Sequence, residues 1–121
     1  MSTKGIDGLL IETHNWGKTV AFWKSLGFVV DFETDHRSGR LTHPAGGPGG
    51  PWIFVAERPG SHVLRVVPGL SVASASEFTP PASGTVERGF ALEHWGNLQM
   101  LLTDPDGREV SVEAPPATGA P

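Results

Sequence analysis

The segment Thr13-His14-Asn15-Trp16-Gly17-Lys18-Thr19-Val20-Ala21-Phe22-Trp23-Lys24-Ser25-Leu26-Gly27-Phe28 constrains the fold more than any other part of the chain. Trp16, Val20, Trp23 and Leu26 recur at helical spacing, so they would share one side of a helix. Asn15 stands where a side-chain oxygen accepts from the free N–H groups of a first turn, and Gly27 where the chain leaves a helix in the left-handed conformation. Gly17 weakens this helix only slightly. Ahead of it, residues 6–13 carry Leu9, Leu10 and Ile11 in a run too short for a core helix, which predicts a strand.

After the helix, residues 29–34 and 40–43 read as a hairpin turning at Arg37-Ser38-Gly39, and residues 52–56 as a further strand beyond the loop of residues 44–51. The first half is therefore βαβββ. A strand over residues 62–67 opens the second half. Where a second helix belongs, residues 69–83 hold Pro80-Pro81 and many Ser and Ala, which leaves room for about two helical turns at most. Strands at residues 85–92, 97–103 and 108–113 complete the same order. The turn Asp104-Pro105-Asp106-Gly107 pairs Asp104 with Arg108, which puts Leu102 opposite Val110 and Met100 opposite Val112. Leu101 then faces Ser111 and Gln99 faces Glu113, so one side of this hairpin is apolar and the other mixed.

These residues carry a resemblance. The segment from Thr13 to Phe28, together with His94-Trp95-Gly96, Asp104-Pro105-Asp106-Gly107 and Val110-Ser111-Val112, resembles the vicinal oxygen chelate superfamily, which includes glyoxalases, extradiol dioxygenases and bleomycin-resistance proteins. It covers nearly the whole chain up to Ala114. The implied class is α+β, with paired βαβββ modules forming a cup-shaped mixed sheet and a degenerate second helix. The expected organisation is a single domain over residues 1–114, with module one at 5–58, module two at 61–114, and a disordered tail at 115–121.

The resemblance also implies a divalent cation held by imidazole or carboxylate donors from both modules. Aligned on Phe22-Trp23 and Leu26-Gly27, the first ligand position falls on Gly8. Aligned on the Asp-Pro-Asp-Gly turn, the C-terminal glutamate position falls on Ser111. The fourth-strand position falls on or near Phe54, with Glu57 close by, and only His62 matches a ligand. One imidazole does not hold a metal, so no metal, no cofactor and no catalytic residue are expected. His14, His36, His43 and His94 stand beside a helix cap, in a turn or at strand ends, where partial burial with one hydrogen bond is ordinary.

Composition narrows the partners. Nine basic and thirteen acidic residues among 121 give a net charge of −4 with no Lys or Arg run, which argues against nucleic acid. The absence of cysteine excludes disulfides, thiolate metal sites and a cysteine nucleophile. No secretory h-region and no apolar run of membrane-spanning length is present, so a cytoplasmic protein without membrane contact is expected. The chain has no Gly-x-Ser-x-Gly elbow and no Gly-x-x-x-x-Gly-Lys-Ser/Thr phosphate loop, and residues 46–50 lack the strand and helix a nucleotide loop needs.

Four Trp and six Phe without any Tyr offer large flat apolar faces. Trp16 and Trp23 belong to the helix pattern. Trp52, Phe54 and Trp95 are the aromatic ligand candidates; His62, Gln99, Ser111 and Glu113 are the polar ones, and Phe32, His43, Leu64 and Leu101 complete the set. The resulting expectation is a metal-free protein that binds and sequesters a bulky aromatic or antibiotic-like small molecule, as a homodimer with shared pockets. The alternative is a metal-dependent lyase or dioxygenase with a shifted site, using His62, Glu57 and either Glu113 or Glu12.

Overall fold

The computed structural model describes residues 3–116. They divide into two compact units, one spanning Asp7–Val66 and the other holding residues 67–116 with the residues before Asp7. Residues 117–121 of the expected tail lie outside the described residues.

The first unit contains strand β1 (Ile6–Thr13), helix α1 (Trp16–Lys24), and strands β2 (Val29–Glu33), β3 (Ser38–Thr42) and β4 (Trp52–Glu57). The strand order is β2-β3-β4-β1, with β1 parallel to β4 and the others antiparallel. Asn15 caps α1, its side chain accepting from the N–H of Lys18 at 2.9 Å, and Gly27 takes a φ of 97° where the chain turns away. Leu41, Ile53 and Val55 form the buried centre of one face, and Ile11, Trp16, Trp23, Phe28 and Val30 pack against them. Burial of each such side chain contributes about 1.5–3 kcal/mol, so the helix is held by its apolar side.

The hairpin turns earlier than Arg37-Ser38-Gly39. Thr34 donates its N–H to the carbonyl of Ser38 at 2.9 Å, the Thr34 and Ser38 hydroxyls meet at 2.7 Å, and Arg37 takes the left-handed φ of 61°. Ser38 and Gly39 thus belong to β3. Glycine is needed at position 39 for packing, because a β-carbon there would press on the Phe32 carbonyl and the Trp16 ring.

The second unit contains β5 (Val66–Ser71), β6 (Thr85–Leu92), β7 (Leu98–Thr103) and β8 (Glu109–Ala114), ordered β5-β8-β7-β6. β5 begins four residues later than residue 62. The reason is that residues 58–65 wrap a carboxylate, as described below, and pairing with β8 starts only at Gly69 opposite Ser111. Between β5 and β6 a single 3-10 turn at Ala75–Glu77 replaces a second helix. Phe78 and Phe90, 6.2 Å apart edge to face, cover part of the exposed side of the core. An apolar groove of about 630 Å³ lined by Leu70, Phe78, Val86, Leu102 and Val110 remains beside them.

The β7–β8 hairpin has the register read from its turn. Leu102 faces Val110, Met100 faces Val112, Leu101 faces Ser111 and Gln99 faces Glu113. Asp104 sets it: its N–H donates to the Arg108 carbonyl at 2.8 Å, its Oδ1 accepts from the N–H groups of Asp106 and Arg108, and Gly107 takes a φ of 85°. Val72, Met100, Leu102, Val112 and Ala114 make the buried core on the apolar face. Among the described residues, no helix is long and apolar enough to cross a membrane.

Candidate functional site

Two sheet faces carry the polar and aromatic residues that a ligand could meet, one in each unit. In the first unit, the face away from α1 follows from strand alternation. Ile53 and Val55 point into the helix-side core, so Trp52, Phe54 and Ala56 point the other way. The register then builds rows across the sheet. One row runs Phe32, Arg40, Phe54 and Leu10; the next runs Thr42, Trp52 and Gly8; a third runs Ser38, Ala56 and Glu12. Arg40 sits between two phenyl rings in its row, and Asp31 at the β2 bulge accepts from its Nε at 2.9 Å. Phe32 is exposed, whereas Trp52 and Phe54 are half-buried.

The third row ends in a buried ion cluster. The Glu12 side chain is completely buried and accepts five hydrogen bonds. Oε1 accepts from His62 Nε2 at 3.0 Å and from the backbone N–H and Nε of Arg65 at 3.0 and 3.1 Å; Oε2 accepts from Arg58 Nε at 2.9 Å and Arg65 Nη2 at 2.8 Å. The Arg65 fork outweighs the cost of burial and, with Arg58 and His62, lowers the Glu12 pKa to about 2. The backbone closes the same clamp, since Glu12 N–H donates to the Arg65 carbonyl and Arg58 N–H to the Thr13 carbonyl. This ties residues 58–65 to β1.

Other predicted residues of this unit have different surroundings. His43 uses both ring nitrogens at the end of α1: Nδ1 accepts from the Ala45 N–H at 3.1 Å, which leaves Nε2–H to donate to the Leu26 carbonyl at 3.2 Å. Its ring meets Phe28 edge to face. Leu64 is exposed within the segment that wraps Glu12. Glu57 lies on the helix side, where Oε2 accepts from the Trp16 N–H at 2.9 Å and Oε1 from Arg37 at 3.0 Å. The Trp16 hydrogen bond first, and Arg37 second, lower its pKa.

In the second unit the mixed face brings Gln99, Leu101, Ser111 and Glu113 together on neighbouring strands. Glu113 Oε1 accepts from Trp95 Nε1 at 3.3 Å and Asn97 Nδ2 at 3.1 Å, which holds the exposed Trp95 indole beside the sheet. Arg88 and Glu93 were not legible as site residues. Arg88 reaches this face because β6 bulges between Val86 and Arg88 and again before Ala91, which breaks the alternation a sequence count relies on. Its Nη1 donates to Glu93 at 3.1 Å and its Nη2 to Gln99 Oε1 at 2.9 Å, while its buried Nε has no hydrogen-bond partner.

Comparison with solved structures places this architecture. Methylmalonyl-CoA epimerase from Streptomyces coelicolor superposes with a TM-score of 0.68 over 99% of this chain and 100% of its own, at 18% identity. A glyoxalase/bleomycin resistance protein/dioxygenase superfamily member from Vibrio splendidus gives 0.63 over 93% and 99%, at 15% identity. 2,2',3-Trihydroxybiphenyl 1,2-dioxygenase from Sphingomonas wittichii gives 0.63 over 96% of this chain and 42% of its own, at 18% identity. The chain has the vicinal oxygen chelate fold. No family model and no curated protein matches its sequence.

The metal that this fold implies does not fit the residues at the aligned positions. At Gly8 a β-carbon would collide with the Trp52 indole, so the indole takes the space of a first ligand side chain. His62 is bonded to Glu12, and the Glu12 carboxylate also accepts from two guanidinium groups, a setting in which a cation would face Arg58 and Arg65. Ser111 accepts from Gln99 Nε2 at 2.9 Å. Among the described residues, no group of three or more His, Asp or Glu converges as a metal site.

Proposed function

We propose that this protein binds a bulky aromatic or antibiotic-like small molecule without a metal and acts by sequestering it. The observation that carries the reading is the Trp52 indole lying against Gly8, which puts an aromatic plate at the position aligned with a metal ligand. Phe54 and Phe32 extend the apolar surface on the same face, and Trp95 offers a second indole, anchored through Glu113, in the other unit. Apolar burial against these rings supplies most of the affinity, with His62 supplying orientation in the first unit and Gln99, Ser111 and Glu113 in the second. Leu64, Leu101 and His43 complete the proposed lining. The active form is a homodimer in the cytoplasm, with pockets shared between protomers and neither nucleic acid nor membrane as partner.

A fluorescence screen of aromatic antibiotics tests this directly, because ligands stacking on Trp52 or Trp95 quench indole emission. Saturable quenching at micromolar concentration, lost in Trp52→Ala, is the expected result. A screen in which no compound quenches, or a monomer in sedimentation at micromolar concentration, counts against the corresponding half of the reading.

A further inference from the structure

The hydrogen-bond chain on the mixed face of the second unit has only one possible polarity. A guanidinium group donates and cannot accept, so the Gln99 atom 2.9 Å from Arg88 Nη2 is its oxygen. The Gln99 NH2 group therefore points the other way, toward Ser111 Oγ at 2.9 Å. An amide nitrogen only donates, so Ser111 accepts. The serine's own hydrogen must then point elsewhere, and among the described contacts it has no acceptor. Ser111 is only 9% exposed, and a buried donor without an acceptor costs free energy that a partner would recover.

Two residues along the same strand face stands the opposite function. Glu113 Oε1 accepts from both Trp95 and Asn97, which leaves Oε2 as an open acceptor beside the edge of the Trp95 indole. Successive residues on one face of a strand are about 7 Å apart.

We propose that Ser111 and Glu113 read the ligand as a pair, Ser111 donating to a carbonyl-type oxygen and Glu113 accepting from an ammonium-type group about 7 Å away, with Trp95 against the ring between them. Arg88 is a positioning residue, since it fixes the Gln99 amide and through it the direction of the Ser111 hydrogen. Glu93 holds Arg88 in turn. This proposal rests on the ligand-binding reading above and names the chemistry that such a ligand carries.

The probe is 4-(aminomethyl)benzamide, whose carbonyl and amine lie across one ring; 4-methylbenzylamine lacks the carbonyl. NMR titration of the 15N-labelled full chain, following the Trp95 indole and Gln99 amide signals, gives both affinities. The wild type is expected to prefer the amide by about five- to tenfold, the range of one neutral hydrogen bond. Ser111→Ala should lose that preference by weakening the benzamide more than 4-methylbenzylamine, and Glu113→Gln should weaken both probes. Arg88→Met should shrink the preference although Arg88 touches neither probe, a result that mere loss of packing would not give. Equal preference in wild type and Ser111→Ala overturns the proposal. If aromatic compounds quench in the fluorescence screen but the wild type does not favour the amide, this proposal falls and the binding reading stands; if nothing binds in either assay, both fall. Neutron diffraction of the deuterated, ligand-free protein tests the polarity alone. A Ser111 deuteron directed at Gln99 or at a carbonyl of its own sheet overturns the proposal whatever binds.

Discussion

Trp52 lies across Gly8 from the neighbouring parallel strand, close enough that any β-carbon at position 8 would run into both its indole ring and its carbonyl oxygen. The ring can swing aside, but the carbonyl belongs to the β1–β4 ladder and cannot. Gly8→Ala should therefore destabilise the fold by about 1–3 kcal/mol, and adding Trp52→Ala should recover only part of the loss. Denaturant unfolding of the two single variants and the double variant checks this. Full recovery in the double variant would show that the carbonyl contact does not matter.

The two faces of β4 should respond differently to truncation. Ile53 is buried against α1, whereas Trp52 faces away from that core and keeps part of its surface exposed. Ile53→Ala should cost about 2–4 kcal/mol of stability. Trp52→Ala should cost less stability and weaken binding of a quenching ligand by about 1–3 kcal/mol. Paired thermal unfolding and fluorescence titration separate the cases. Unchanged binding in the Trp52 variant would remove this face from the site.

Metal content follows from the donor chemistry. His62, the residue that matches an aligned ligand position, is bonded to Glu12, whose carboxylate accepts from Arg58 and Arg65 within 3.1 Å. A divalent cation would have to displace two guanidinium groups, so purified protein should carry below about 0.2 equivalents of zinc, nickel or iron after dialysis. Elemental analysis decides it, and stoichiometric metal would favour the lyase or dioxygenase alternative over the metal-free reading.

Local signals made much of this architecture readable. The Asn15 cap, the Gly27 exit and the Asp104–Gly107 turn each act over a few residues, and each specifies its element and, in the turn, its register. Ile53 and Val55 were separable from Trp52 and Phe54 because strand alternation is a period of two. What failed to show was long-range or irregular. Nothing near His62 signals that Glu12, fifty positions earlier, would draw residues 58–65 around its carboxylate and delay β5. Arg88 was invisible for another reason, because two bulges in β6 cancel the parity by which a face is assigned.

Glu12 offers the test with the clearest sign. Its carboxyl has a pKa of about 2 in the folded protein against an ordinary value of 4.5, chiefly because the Arg65 side chain donates to it. A carboxyl with a lowered folded-state pKa contributes stability in full above its unfolded value and loses it as the pH falls toward the folded one. The contribution should therefore be constant above about pH 5 and decline between about pH 4.5 and pH 2. Glu12→Gln keeps the shape but leaves Arg58, Arg65 and His62 around a neutral amide. It should cost on the order of 3 kcal/mol at pH 7, a figure held down by the partial solvent exposure of both arginines. The variant should also lose stability less steeply than the wild type on acidification, so the two unfolding curves converge near pH 2. Asp35, Glu57 and Asp104, whose pKa values are also lowered, remain in both proteins and set the slope that survives. Urea unfolding at a series of pH values measures the difference, and parallel curves for wild type and variant from pH 5 to pH 2 would show that Glu12 is not the group whose protonation loosens the first unit.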